Sequence, residues 1–149
     1  MKEIERKFLV KNPPGNYSDW YYTEIRQGYL AVTKEGIEVR IRNKGNSFFQ
    51  TVKSEKGLYR EEIEISITKE QFEVLWPATS GKRIHKKRFT INYNGQLIEL
   101  DVYQGRLEGL IVAEVEFDNE ENCRRFEPPM WFDREITNDK KYKNRNLAQ

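Results

Sequence analysis

A single cysteine, a single histidine and no long apolar run mark what this sequence lacks. The lone Cys123 cannot build an internal disulfide framework and suits a reducing compartment. The absence of a long apolar run predicts no membrane-spanning helix. The chain enters directly into Glu3-Ile4-Glu5 with no signal-peptide pattern, so a cytoplasmic protein is expected. A dominant charge of one sign is also missing: 26 Lys and Arg face 24 Asp and Glu, for a formal net charge of +2. That balance excludes a general nucleic-acid binder, whose affinity comes from clustered cations. Hydrophobic residues make up 37% of the chain and aromatics 13%, too many for a disordered segment. No repeat, linker or low-complexity stretch interrupts the 149 residues, and one domain spanning 1–149 is expected.

What the chain does contain is alternation. Runs with a two-residue period predict strands over residues 2–10, 21–33, 36–43, 47–54, 59–67, 83–93, 96–104 and 110–118. Gly36, Gly45, Lys56-Gly57 and Asn94-Gly95 punctuate them, the last being a strong hairpin signal. Helices are few. Thr68 and Gln71 form a capping-box pattern ahead of Phe72, Leu75 and Trp76, with Pro77 as the stop. Asp118 and Glu121 are read as the cap of a second short helix carrying Cys123 and Phe126, and a third is expected over about 138–148. Met130-Trp131-Phe132 reads as a loop anchor. Eight antiparallel strands with few helices suggest a closed barrel or a sandwich.

Sorting the strands by parity gives the chemistry. Successive strand side chains point to opposite faces, so Glu3, Glu5 and Lys7 share one face, about 7 Å apart by strand rise. The third strand gives Arg40 and Arg42 against Ile37, Val39 and Ile41, and the fourth gives Thr51 and Lys53. The fifth gives Arg60, Glu62 and Glu64 against Ile63, Ile65 and Ile67, the seventh Glu99 and Asp101, and the eighth Glu114 and Glu116. The sixth is open: Lys86 and Arg88, or Arg83, His85 and Lys87. A one-sided sheet with its charges in water explains any one such strand. Repetition of Glu-x-Glu, Arg-x-Arg and Glu-x-Asp over seven strands points instead to a charged lining, with the apolar face covered by helices. Carboxylates are hard-oxygen ligands for Mg²⁺ or Mn²⁺, and Arg and Lys hold phosphate oxygens. Together they suit phosphoryl transfer, which rests on positioning and charge stabilisation.

The Glu3-Ile4-Glu5-Arg6-Lys7 run resembles the Glu-x-Glu-x-Lys signature of the CYTH superfamily, the triphosphate tunnel metalloenzymes. Arg40-x-Arg42, Thr51-x-Lys53, Arg60-x-Glu62-x-Glu64, Lys86-x-Arg88, Glu99-x-Asp101 and Glu114-x-Glu116 follow in that family's order. The resemblance implies an all-β-dominated (α+β) fold. Its core would be an eight-stranded antiparallel closed barrel, the triphosphate tunnel, with a few peripheral helices and a C-terminal helix at one mouth. It also implies Lys86 and Arg88 for the sixth strand, leaving His85 outside and the chemistry without a histidine base.

The roles implied are as follows. Glu3, Glu5, Glu114 and Glu116 would ligate Mg²⁺ or Mn²⁺, with Glu62, Glu64, Glu99 and Asp101 as further ligands or their supports. Lys7, Arg40, Arg42, Lys53, Arg60, Lys86 and Arg88 would cradle a triphosphate. Lys143 belongs to a basic segment over one mouth, and Glu5, Lys7, Arg40, Arg42 and Lys53 are the catalytic set. The partner is a small triphosphate, not a membrane or nucleic acid. Without an evident insertion for gripping a base or thiamine, hydrolysis of inorganic tripolyphosphate is favoured over nucleoside triphosphates. A class IV adenylyl cyclase and a non-catalytic polyphosphate-binding module are the alternatives. The oligomeric state is not legible.

Overall fold

A computed structural model describes residues 4–56 and 59–149 of the chain; Glu3 and the side chain of Arg60, both expected site residues, lie outside the described residues. Nine strands form among the described residues, where eight were expected. They are β1 (Glu5–Val10), β2 (Tyr22–Val32), β3 (Ile37–Lys44), β4 (Ser47–Lys56), β5 (Tyr59–Ser66), β6 (Arg83–Tyr93), β7 (Gln96–Tyr103), β8 (Ile111–Glu116) and β9 (Phe132–Glu135). Helices are short: α1 (Lys69–Leu75), α2 (Glu120–Arg125) and α3 (Asn144–Leu147). Every registered pairing is antiparallel, as expected for a mostly-β chain. The described chain divides into two compact units.

The first unit comprises Glu24–His85 and Lys140–Gln149. Its strands pair in the order β5-β4-β3-β2. The α1 helix starts as its sequence predicts: Thr68 and Gln71 satisfy each other's backbone N–H groups in a capping box. Pro77 falls in a 3₁₀ turn, Trp76–Thr79, that follows directly. Phe72 is fully buried, with its ring 5.2 Å from Phe48 and 5.0 Å from Trp76. The guanidinium of Arg83 lies 4.3 Å over the Trp76 ring. This helix covers the apolar face only in part, for Ile63 and Ile65 on β5 are 62% and 54% exposed. The expected third helix is broken into a 3₁₀ turn, Lys140–Tyr142, and α3. Lys143 between them is extended, and the Asn146 side chain donates to the Lys140 carbonyl at 2.6 Å. A side chain that satisfies backbone in this way competes with a continuous helix.

The second unit runs up to Thr23 and from Lys86 to Asp139, with strand order β6-β7-β8-β1-β9. Asn94 and Gly95 both take positive φ, 50° and 81°, which is the geometry a two-residue type I′ hairpin requires. Val10, Phe89, Ile98, Leu100, Ala113 and Val115 form the core on one face of this sheet, and Trp20, Cys123 and Phe126 pack against it. The apolar face of this sheet is thus covered, as the parity argument requires. Asn119, not Asp118, caps α2, its side chain accepting from the Asn122 N–H at 2.8 Å. The unexpected β9 pairs with β1. Its charged Phe-Asp-Arg-Glu sequence has no apolar period. It is held instead by Phe8 against Phe132 at 4.8 Å and by a forked pairing of Arg6 with Glu135 at 2.7 and 3.1 Å.

Candidate active site

In the second unit, strand register places the charged residues on one face. Glu5 lies opposite Glu116 and Lys7 opposite Glu114. Glu114 in turn lies opposite Glu99, and Asp101 opposite Arg88. Directly opposed residues share a face, so the open assignment of the sixth strand resolves to Lys86 and Arg88. His85 has the other parity and pairs with Glu24 at 2.6 Å, both half-exposed.

Asp101 is the hub of this face. Its Oδ2 accepts from Lys86 Nζ at 2.8 Å and from Arg88 Nη2 at 3.1 Å, and its Oδ1 accepts from Arg88 Nε at 2.8 Å. Burial alone would raise its pKa, but the two cations outweigh that and hold the carboxyl far below the ordinary range. Arg88 also reaches Glu99 at 3.1 Å. Burial would likewise raise Glu114, yet a hydrogen bond with Glu5 and the charges of Lys7 and Arg88 hold it below the usual carboxylate value. Among the described residues, no three His, Cys, Asp or Glu side chains come close enough to hold a metal ion by themselves. The donors are all hard oxygens, however, and Mg²⁺ is commonly held by one or two carboxylates together with substrate phosphates rather than by an all-protein cage. The Glu5–Glu114 pair with Glu116 opposite Glu5 fits that chemistry in kind.

In the first unit the same sidedness holds. Arg40 lies opposite Thr51 and Tyr29, Arg42 opposite Gln27, and Glu38 opposite Lys53. Lys53 lies opposite Glu62 and Thr51 opposite Glu64. Arg40 is 6% exposed. It stands 3.7 Å from Glu38 and 3.9 Å from Glu62, which are ion-pair distances too long for hydrogen bonds. Its Nε is buried with no hydrogen-bond partner. Lys53 is 3.6 Å from Glu62, and Thr51 Oγ1 donates to Glu64 at 2.9 Å. Arg42 Nε donates to Gln27, whose amide donates to the Tyr29 hydroxyl at 2.7 Å. Burial pushes the Tyr29 phenol up, with the Glu38 charge adding to it. Lys143 sits at the start of α3, and Arg145 on that helix reaches the face, 3.6 Å from Glu38.

Three buried polar residues of this face were missed in the sequence: Gln27, Tyr29 and Glu38. Glu38 shares the parity of Arg40 and could have been found. Gln27 and Tyr29 carry no formal charge, and a register shift between Tyr29 and Ala31 breaks the alternation of β2. An open depression of about 510 Å³ in the second unit, walled by Trp20, Tyr21, Tyr93 and Trp131, contains none of the expected site residues.

The ordered charged pattern on sided strands has a direct counterpart among known proteins: the CYTH domain matches residues 1–124. The chain belongs to the CYTH family. Within it, an inorganic triphosphatase from Nitrosomonas europaea is 49% identical over 149 residues, covering 99% of this chain and 97% of the relative. An inorganic triphosphatase from Acetivibrio thermocellus is 34% identical, with 99% of this chain and 94% of the relative covered. A crystal structure of an inorganic triphosphatase superposes on this CYTH chain with a TM-score of 0.81 at 46% identity, over 99% of this chain and 95% of that one.

Proposed function

We infer that this chain is an inorganic triphosphatase, a phosphoanhydride hydrolase that cleaves tripolyphosphate to pyrophosphate and phosphate. The observation that carries the reading is Arg40, a buried guanidinium flanked by two carboxylates at non-hydrogen-bonding distance, with one N–H unpartnered. Buried donors are nearly always satisfied. A planar cation left in this state is suited to the oxygens of an incoming phosphate, which it can hold by two parallel bonds. Arg42 and Lys53 share its face and extend the cradle along a chain of phosphates. Lys7, Lys86 and Arg88 form the corresponding set in the second unit, with Arg60 and Lys143 as further contributors. The names of two relatives that match nearly the full length agree with this chemistry.

Mg²⁺ or Mn²⁺ is the cofactor in this reading. Glu5, Glu114 and Glu116, with Glu3, would hold it, and Glu62, Glu64 and Glu99 would support it. When bound, such an ion neutralises developing charge on the phosphates and lowers the pKa of a bound water. Asp101 has a different part: with both oxygens taken by Lys86 and Arg88, it fixes those cations for the substrate. The closed eight-stranded tunnel with a C-terminal helix at its mouth, built by the 149 residues as one domain, remains part of the proposal. The sidedness of the charged strands supports it. A reducing cytoplasm is the location that the single free thiol suits.

The deciding experiment is phosphate release from tripolyphosphate, ATP and thiamine triphosphate, each with Mg²⁺ and with Mn²⁺, alongside detection of cyclic AMP. Tripolyphosphate should give the highest kcat/KM, because a nucleoside adds bulk without compensating contacts. Cyclic AMP as the main product from ATP would establish the cyclase instead. Tight tripolyphosphate binding without turnover would establish the binding module.

A further inference from the structure

Glu38 is an acidic side chain buried on the face that carries Arg40, Arg42 and Lys53. It is 7% exposed, and its two oxygens are divided between two guanidiniums. Oε2 lies 3.7 Å from Arg40 Nη1, and Oε1 lies 3.6 Å from Arg145 Nη1. Strand register sets Lys53 opposite it. Arg145 is carried by α3, whose last turn leads into the buried Ala148. One carboxylate therefore joins the strand that carries Arg40 and Arg42 to the C-terminal segment of the same unit.

A buried negative charge beside a phosphate cradle repels the ligand, so its role lies elsewhere. Arg40, Lys53 and Arg145 would repel one another without it, and among the described residues the other carboxylate paired with Arg40 is Glu62, farther off at 3.9 Å. On these grounds, and resting on the triphosphatase reading above, we propose that Glu38 is a positioning residue for triphosphate hydrolysis. It holds the Arg40 guanidinium in its phosphate-binding posture, and through Arg145 it docks the C-terminal segment beside that strand. The substrate gains nothing directly from Glu38. It meets an arginine already oriented, and orientation of this kind is where much of the rate in phosphoryl transfer originates.

The proposal predicts a split between turnover and affinity that loss of folding alone does not produce. Glu38→Gln keeps the side-chain shape but removes the charge that holds the two arginines. With tripolyphosphate and Mg²⁺, kcat should fall about tenfold or more, while KM stays level or falls because a repulsive charge has gone. Backbone hydrogen exchange should quicken at Leu147 and Ala148, whose N–H groups bond to Lys143 and Asn144 carbonyls. Arg145→Ala should quicken the same amides, and Arg145→Lys should restore part of their protection.

Parent-like kcat in Glu38→Gln, or a lower kcat joined to a raised KM and a lowered Tm, overturns the positioning role. Unchanged exchange in Arg145→Ala overturns the docking role, and this variant decides the matter if Glu38→Gln fails to fold. An inactive parent protein would overturn the triphosphatase reading and the proposal together. An active parent with an indifferent Glu38→Gln overturns the proposal alone.

Discussion

Lys86 Nζ lies 2.8 Å from Asp101 Oδ2, with side-chain exposures of 1% and 3%. Two opposite charges so deeply buried are expensive to desolvate, and the cost is repaid only when geometry and additional hydrogen bonds are good. Here Arg88 supplies them by forking onto the same carboxylate. The triad is a fixed electrostatic unit on the charged face of the second unit, and it sets two of the cations assigned to the triphosphate.

Removing its centre should be costly. Asp101→Asn keeps the volume but leaves Lys86 and Arg88 buried beside a neutral amide. Stranding buried charge in this way typically costs about 3–5 kcal/mol. Urea unfolding of the variant, with an unchanged m-value, should show a loss of that order. A loss under about 1 kcal/mol, the scale of an exposed pair, would mean that water reaches the triad.

The same unit predicts how stability depends on pH. The folded-state pKa of Asp101 is depressed, so the pair stabilises the protein above the unfolded carboxylate value of about 3.9. It does so less as pH falls from there towards the folded value. Below about pH 4 the unfolded chain binds more protons than the folded one, and the free energy of unfolding must fall with pH. Glu135, held down by its hydrogen bond with Arg6, and Glu114 act in the same direction. Unfolding free energy measured from pH 7 to pH 3 should therefore decline on the acid side, with a shallower acid limb in Asp101→Asn. Superimposable limbs would contradict the assigned ionisation.

Much of this was legible because strand parity is a strict rule. Glu5, Lys7, Glu99, Asp101, Glu114 and Glu116 were sorted to one face by counting in twos, and the register bears that sorting out. The Thr68 cap and the Asn94-Gly95 turn were readable for a similar reason, since each is a local motif complete within four residues. The rest depended on contacts distant in sequence. β9 exists because Arg6 and Phe8 find Glu135 and Phe132 more than a hundred residues away, and nothing in Phe-Asp-Arg-Glu announces a strand. The division of labour among the carboxylates was equally hidden. Asp101 and Glu99 look alike in a sequence, but only Asp101 is enclosed by two cations.

Gly28 shows a constraint that charge patterns cannot reveal. A Cβ built on it would stand 2.5 Å from Thr79 Oγ1, 2.6 Å from its Cβ and 2.8 Å from its Cγ2. Thr79 cannot swing aside freely, because its hydroxyl donates to the Trp76 carbonyl at 2.7 Å and accepts from Arg83 at 3.0 Å. Gly28→Ala should destabilise the protein by about 1–3 kcal/mol, the usual cost of overpacking. Thermal unfolding reads this directly, and a Tm equal to that of the parent would show that β2 and the Trp76–Thr79 turn separate easily.

Glu5→Gln separates metal binding from folding. The change removes a hard anionic donor from its hydrogen-bonded contact with Glu114 while keeping the shape of the side chain. Activity on tripolyphosphate should fall about 10²-fold or more, the scale seen when a metal's supporting shell or a principal electrostatic group is lost. The Mg²⁺ concentration needed for half-maximal rate should rise. Folding should be retained, since the glutamine amide keeps the side-chain shape and still offers a hydrogen-bond donor to Glu114. Parent rates with parent metal dependence would remove Glu5 from the ligand set.

Arg40 tests the phosphate cradle itself. Its guanidinium offers a planar fork, whereas lysine offers a compact charge on a flexible stem. Arg40→Lys therefore preserves the charge facing Glu38 and Glu62 but loses the ability to hold two oxygens of one phosphate. Turnover of tripolyphosphate should drop while calorimetric Mn²⁺ binding stays near the parent value. Arg40→Ala should be worse, because Glu38 and Glu62 then meet the substrate's negative charge without the intervening cation. The order parent, lysine, alanine in kcat/KM is the expected outcome, and each step lost is a loss of transition-state stabilisation. Equal and near-parent kinetics for both variants would show that β3 does not hold the phosphates. The buried ion pairs of the first unit would then be structural, with the unpartnered Nε of Arg40 serving no ligand.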